Sequence, residues 1–184
     1  MEKRKSRNYN MLVCALFAAI CCVLSPIAIP IGPVPISLGL FAIIFTGVVL
    51  GPLKGAISVL VFFLIGLFFP VFTGGQVGFS AFVGPTGGYA WSYLLVVVVV
   101  GFLTKIPIKN KVLEIIATIF FCMAGIATCY FFGTLQFMVV MNTNLTAAIS
   151  ACVIPFIPFD FGKCVVAGVM GPMLKVALKK AKLI

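Results

Sequence analysis

The run YLLVVVVVGFL at 93–103 has no charge, and similar stretches recur along the chain. Together they give 63% hydrophobic residues against 9% charged ones, with no histidine. Such a chain cannot cover a water-facing surface with polar groups, so it reads as a polytopic membrane protein. Its 184 residues suit a single domain, 1–184. The expected fold class is all-α integral membrane, a six-transmembrane-helix bundle. The spans fall near Asn10–Ile27, Ile36–Leu50, Gly55–Phe69, Tyr89–Leu103, Val112–Phe132 and Phe159–Leu178. The basic head and the apolar run Met11–Leu24 resemble a signal peptide. No small-x-small cleavage pattern follows, so the segment reads as a retained first helix.

Spans two and three are short against the roughly 20 residues that a bilayer demands. GPLKG at 51–55 separates them. One continuous helix would have to bury Lys54 and Pro52, so two spans joined by a turn are expected. Threading six spans then puts Lys3, Arg4, Lys5, Arg7, Lys54, Lys105, Lys109, Lys111, Lys175, Lys179, Lys180 and Lys182 on one side. The opposite loops, 25–35, 70–88 and 133–158, contain no Lys or Arg. By the positive-inside rule both termini are cytoplasmic. The net charge of +10 is then a matter of topology and anionic lipid headgroups, not of nucleic acid. The outer loops are rich in Gly, Pro and aromatic residues. The last of them is expected to form a short helix capped by Asn142 or Asn144 and ended by Pro155 and Pro158.

Three acids are present. Glu2 sits in the basic head, and Glu114 is expected to pair locally with Lys111. Asp160 opens the sixth span, and Lys163 follows at i+3 on the same helix face. Ionisable residues within a span are costly and usually face a cavity or a partner. As chemistry the pair suits a small amphipathic ligand. Asp160 accepts from ligand N–H groups, while Lys163 and the exposed N–H groups of the helix start hold an oxygen. The glycine-rich loop GGQVGFSAFVGPTGGY at 74–89 is positioned to close over it without side-chain bulk.

Catalysis finds little support, with no His and no paired acids. No phosphate-binding loop occurs, and the cysteines form no C-x-x-C pair, so neither a metal nor a cofactor is expected. Cys14, Cys21, Cys22, Cys122, Cys129, Cys152 and Cys164 read as small hydrophobes within helices. Ala15 and Ala19 form A-x-x-x-A on the first span, a spacing that lets a partner helix approach closely.

GPVPISL (32–38), LGPLKGAISV (50–59), FPVFTGG (69–75), GPTGGY (84–89) and PFIPFDFGK (155–163) occur in one order along the chain. In these blocks the sequence resembles the BioY family, the biotin-specific S components of energy-coupling factor (ECF) transporters. The resemblance implies a substrate-binding protein of the bacterial plasma membrane. It would take biotin from outside and work with a transmembrane T component and two ATPase subunits, toppling in the membrane to release it. It also implies that Asp160 and Lys163 are polar contacts to biotin. Gly74, Gly75 and Gln76, with Gly87, Gly88 and Tyr89, would complete the site, and Ala15 and Ala19 would meet the T component. Phe159 stands where family members commonly have Gly, and GGYAWSYLL replaces a more usual continuation. Tyr89, Trp91 and Phe79 are candidates for an apolar wall. Two other readings are a carrier or S component for another small vitamin, and a membrane enzyme using Lys163 as a base.

Overall fold

A computed structural model describes residues 2–30, 34–181 and 183, with side chains from Asn8 onward among these. Gly32 and Pro33 of the first block, Lys182, and the side chains of Lys3, Arg4, Lys5 and Arg7 lie outside the described residues. The chain is almost wholly helical: α1 (Glu2–Leu24), α2 (Gly39–Gly66), α3 (Ser80–Val83), α4 (Gly87–Leu103), α5 (Lys111–Met141), α6 (Leu145–Cys152) and α7 (Ile157–Lys180). Between α1 and α2 two short strands, β1 (Ala28–Ile29) and β2 (Ile36–Ser37), pair antiparallel, with Ala28 opposite Ser37. This short strand pairing was unanticipated in the sequence.

The segment α2 is continuous only in name. Gly51 sits at φ 75°, ψ −174°, a conformation essentially closed to residues with a side chain. There the chain folds back. Thr46 and Gly55 are nine residues apart, which a straight helix would separate by about 13 Å. Yet a methyl group on Gly55 would lie 3.7 Å from the Thr46 carbonyl oxygen. The two arms, 39–50 and 52–66, therefore run against each other, as the Lys54 and Pro52 argument expected. Among the described residues α5 and α7 are each long and apolar enough to cross a membrane, as is α2 when its two arms are counted as one run of 28 residues. The helix 8–24 and α4 are apolar but shorter.

The core is built where α4 lies against both arms of α2 and against α5. Ile43, Ile44, Val48, Val59, Phe62, Val96, Val97 and Val100 are buried there. The polyvaline run of α4 thus fills the centre of the bundle rather than its lipid-facing rim. Apart from Lys163, the described basic side chains gather at one end. Lys54 Nζ donates to Asn10 Oδ1 at 2.9 Å, and Lys175 Nζ donates to the Thr104 carbonyl at 3.0 Å. The expected Lys111–Glu114 pair is not formed. Among the described residues the one ion pair is Lys163–Asp160, at the opposite end. The loop helix forms with the expected cap, the Asn144 side chain accepting from Ala147 N at 2.9 Å, but it ends at Cys152, before Pro155, and Pro158 opens α7 instead. Asn142 does the other job, ending α5 in the left-handed conformation.

Candidate ligand-binding site

Pro158 lies in the first turn of α7, where a missing N–H costs nothing, and Asp160 follows in the same turn. One turn further on, Lys163 Nζ stands 2.7 Å from Asp160 Oδ1 and donates to the Ser37 carbonyl at 2.8 Å. Tyr130, on α5, donates its hydroxyl to Asp160 Oδ2 at 2.6 Å. Both carboxylate oxygens are therefore engaged, and Asp160 is only 4% exposed. A buried ion pair is tolerable when its remaining lone pairs and protons find partners in this way. The pair ties three elements together: α5 through Tyr130, α7 through its own backbone, and β2 through Ser37.

These groups face a hollow that opens to the surface. Its walls are the rings of Phe72, Tyr89, Tyr93 and Phe156, the hairpin residues Val34, Pro35 and Ile36, and Thr73 and Gln76 of the lid loop. A site with mostly apolar walls and a few converging polar groups suits a small solute with one polar end. Among the described residues no group of three or more His, Cys, Asp and Glu is placed to hold a metal ion.

Gly74, Gly75 and Gly78 have φ values of 69°, 78° and 74°, which residues with side chains rarely adopt. Phe72 N donates to the Gln76 carbonyl at 3.2 Å and closes this turn. Below it the Phe72 ring is buried against Phe62 and Phe82, with centroids 5.4 and 5.1 Å away. The loop is thus pinned by one aromatic ring, and its glycines shape the tip. A methyl group on Gly74 or Gly75 would meet no atom within 4 Å, and neither residue lines the hollow, though Thr73 and Gln76 on either side of them do. The two glycines set Thr73 and Gln76 at its edge. Gly87 and Gly88 have a different reason to be glycine. A methyl on Gly87 would come within 2.0 Å of the Phe82 carbonyl oxygen, and one on Gly88 within 2.4 Å of the Phe132 carbonyl oxygen. They let the start of α4 press against the lid and α5. That contact places Tyr89, whose ring lines the hollow and whose hydroxyl donates to the Cys152 carbonyl at 3.1 Å.

The helix start itself offers little. Ile157 N and Asp160 N already donate to the Val153 and Phe156 carbonyls at 3.3 and 2.9 Å, and Pro158 has no N–H. Of the polar groups at this end of α7, the Lys163 ammonium is the charged donor that lines the hollow.

The sequence profile of the BioY family matches residues 1–180. This chain belongs to the BioY family. It is 34% identical to the biotin transporter BioY of Rhizobium etli over 88% of this chain and 90% of that protein. It is 35% identical to the biotin transporter BioY of Rhodobacter capsulatus, with the same coverage of 88% and 90%. A crystal structure of the S-component for biotin from an ECF-type ABC transporter superposes with a TM-score of 0.78 at 32% identity. That match covers 95% of this chain and 94% of the other.

In this BioY chain the hollow contains residues that sequence reasoning passed over. Tyr130 and Tyr93 sit in apolar helices without a motif, while Ser37, Phe72 and Thr73 lie within the blocks GPVPISL and FPVFTGG but were not singled out there. The one signal for Tyr130 was a hydroxyl in mid-span, where a polar atom needs a partner. Trp91 and Phe79 do not join the wall. Phe79 is 73% exposed, and Trp91 donates to Gln136 Oε1 at 3.2 Å on the outer side of α4 and α5. Gln136 in turn donates to the carbonyls of Phe82 and Gly84 at 2.8 and 3.0 Å, fastening the end of the lid loop. Ala15 and Ala19 are exposed on α1, on the face opposite Cys14, Phe17, Ala18 and Cys21, which pack inward.

Proposed function

We propose that this BioY chain is a biotin-binding S component that captures biotin in the hollow at the start of α7. The observation that supports it is the Asp160–Lys163 pair, held by Tyr130 and Ser37 at the base of an aromatic-walled cavity. A buried charge pair has no structural need to face a hollow, and in a membrane protein such residues mark a solute path. Biotin combines an apolar fused ring and tail with a polar cyclic urea. The aromatic walls suit the first and the charge pair the second. Gln76 and Tyr89 contribute from the rim, while Gly74, Gly75, Gly87 and Gly88 act through the shape they give the lid and α4.

On this reading six helical spans cross the cell membrane, with the arms of α2 counting as two and both termini cytoplasmic. The basic end of the bundle then faces the anionic inner leaflet. The whole chain acts as one domain. Delivery of biotin to the cytoplasm requires a T component and two ATPase subunits, and Ala15 and Ala19 form the docking stripe for the T component. The small exposed side chains of that stripe let another helix approach closely.

The test is equilibrium binding of radiolabelled biotin to the purified protein, with riboflavin and thiamine as competitors. Saturable binding that excess biotin displaces and the other two vitamins do not is the expected result. Equal competition by all three would remove the assignment. Asp160→Ala and Lys163→Ala, each verified as folded, are expected to lose binding at least 100-fold, by analogy with the loss of other buried polar contacts.

A further inference from the structure

The Tyr130 hydroxyl has one proton. Its nearest polar neighbour, Asp160 Oδ2 at 2.6 Å, belongs to a carboxylate already paired with the Lys163 ammonium. An ionised carboxylate accepts and cannot donate, so the proton of the bond is Tyr130's. The separation is that of a charge-assisted O–H···O⁻ bond. A free tyrosine serves a ligand as donor or acceptor at will. Here the donor is spent, and because Tyr130 lines the hollow, what it offers a ligand is lone pairs.

Lys163 is constrained in the complementary sense. Two of its three N–H donors go to Asp160 Oδ1 and the Ser37 carbonyl. The third remains for a ligand acceptor. The base of the hollow therefore presents one donor from α7 beside one acceptor from α5, both fixed by the same carboxylate.

We propose that Tyr130 is a specificity-determining residue, an obligate acceptor that takes a hydrogen bond from an N–H of the ligand's polar head and rejects heads with an acceptor there. This rests on the biotin reading above. The ureido head of biotin has a carbonyl flanked by two N–H groups, so Lys163 meets the carbonyl and Tyr130 meets a neighbouring N–H. A ring oxygen in place of that N–H would set two acceptors against each other, with no proton on either side to relieve them.

The experiment uses the full chain in detergent or nanodiscs. It measures biotin and two cyclic carbamate analogues, each with one ureido N–H replaced by oxygen, on the wild type and on Tyr130→Phe. The wild type is expected to bind at least one carbamate about 100-fold more weakly than biotin. Tyr130→Phe is expected to bind biotin about 10-fold more weakly, as for loss of one hydrogen bond to a charged network. In the variant the preference for biotin over that carbamate falls to about 10-fold or less. A uniform loss in Tyr130→Phe with the preference intact would mean a merely structural role and overturn the proposal. So would a wild type that binds both carbamates as well as biotin, a result that needs no variant to fold. Wild-type protein that binds no biotin at all would instead sink the underlying assignment, and this inference with it.

Discussion

Asp160 and Lys163 are an ion pair with side chains 6% and 10% exposed, and each keeps the other affordable in a dry setting. Removing one partner of such a pair leaves an uncompensated charge and costs about 3–5 kcal/mol, whereas removing both can be nearly neutral. Lys163→Met is therefore expected to lower the thermal unfolding temperature in detergent markedly. The double variant Asp160→Asn/Lys163→Met should recover most of that loss and still fail to bind biotin. Were the double variant as unstable as the single one, the pair would not be what sets the local energetics. Tyr130 and Ser37 explain why the pair tolerates burial: with them, both carboxylate oxygens and two of the ammonium's donors are satisfied.

Within single elements the glycines divide by mechanism, and substitutions can separate them. Gly51 holds the reversal of α2 in a region of backbone space that L side chains avoid. Gly51→Ala is expected to destabilise the protein by about 1–3 kcal/mol by denaturation, with no neighbour nearer than Lys105 to blame. Gly74→Ala carries only the left-handed penalty, about 1–2 kcal/mol, because its surroundings are open. Gly87→Ala has ordinary backbone angles but drives a methyl into the Phe82 carbonyl. It should cost about 1–3 kcal/mol and, by moving Tyr89, weaken ligand binding as well. Equal binding by Gly74→Ala and Gly87→Ala would contradict this division. The spacing of these glycines was visible in the sequence. Which were turn-formers and which were contact points was not, because that depends on what lies opposite each one.

For the molecule as a whole, the segregation of Lys and Arg predicts sidedness. A cysteine at Lys109 should react with an impermeant thiol reagent only after the cells are opened, and one at Thr146 in intact cells. Native background is small, since every cysteine except Cys22 is buried. The opposite labelling pattern would invert the topology and put the hollow on the wrong side for uptake. Ala15 and Ala19 should be separable from ligand capture. Ala15→Trp with Ala19→Trp is expected to abolish biotin uptake in cells while leaving binding by the purified protein within about twofold, since both side chains are exposed on α1. Loss of binding in that variant would mean the stripe serves the fold instead.

Taken alone, the amino-acid sequence determined the helical class, the break between the arms of α2, the basic end of the bundle and the pairing of Asp160 with Lys163. Each follows from a one-dimensional property: apolar run length, a Gly–Pro interruption, the alternation of basic residues and an ionisable pair at i+3. Such properties act through solvation and local geometry, so they are written along the chain. The tertiary structure alone decided that Tyr130, thirty residues away from Asp160, supplies its second partner, and that Ser37 on a two-residue strand holds Lys163. It also turned Trp91 outward and buried Phe72 beneath the lid. Those assignments depend on which faces meet when packed helices are brought to close density, and no local periodicity encodes the partner of a given face.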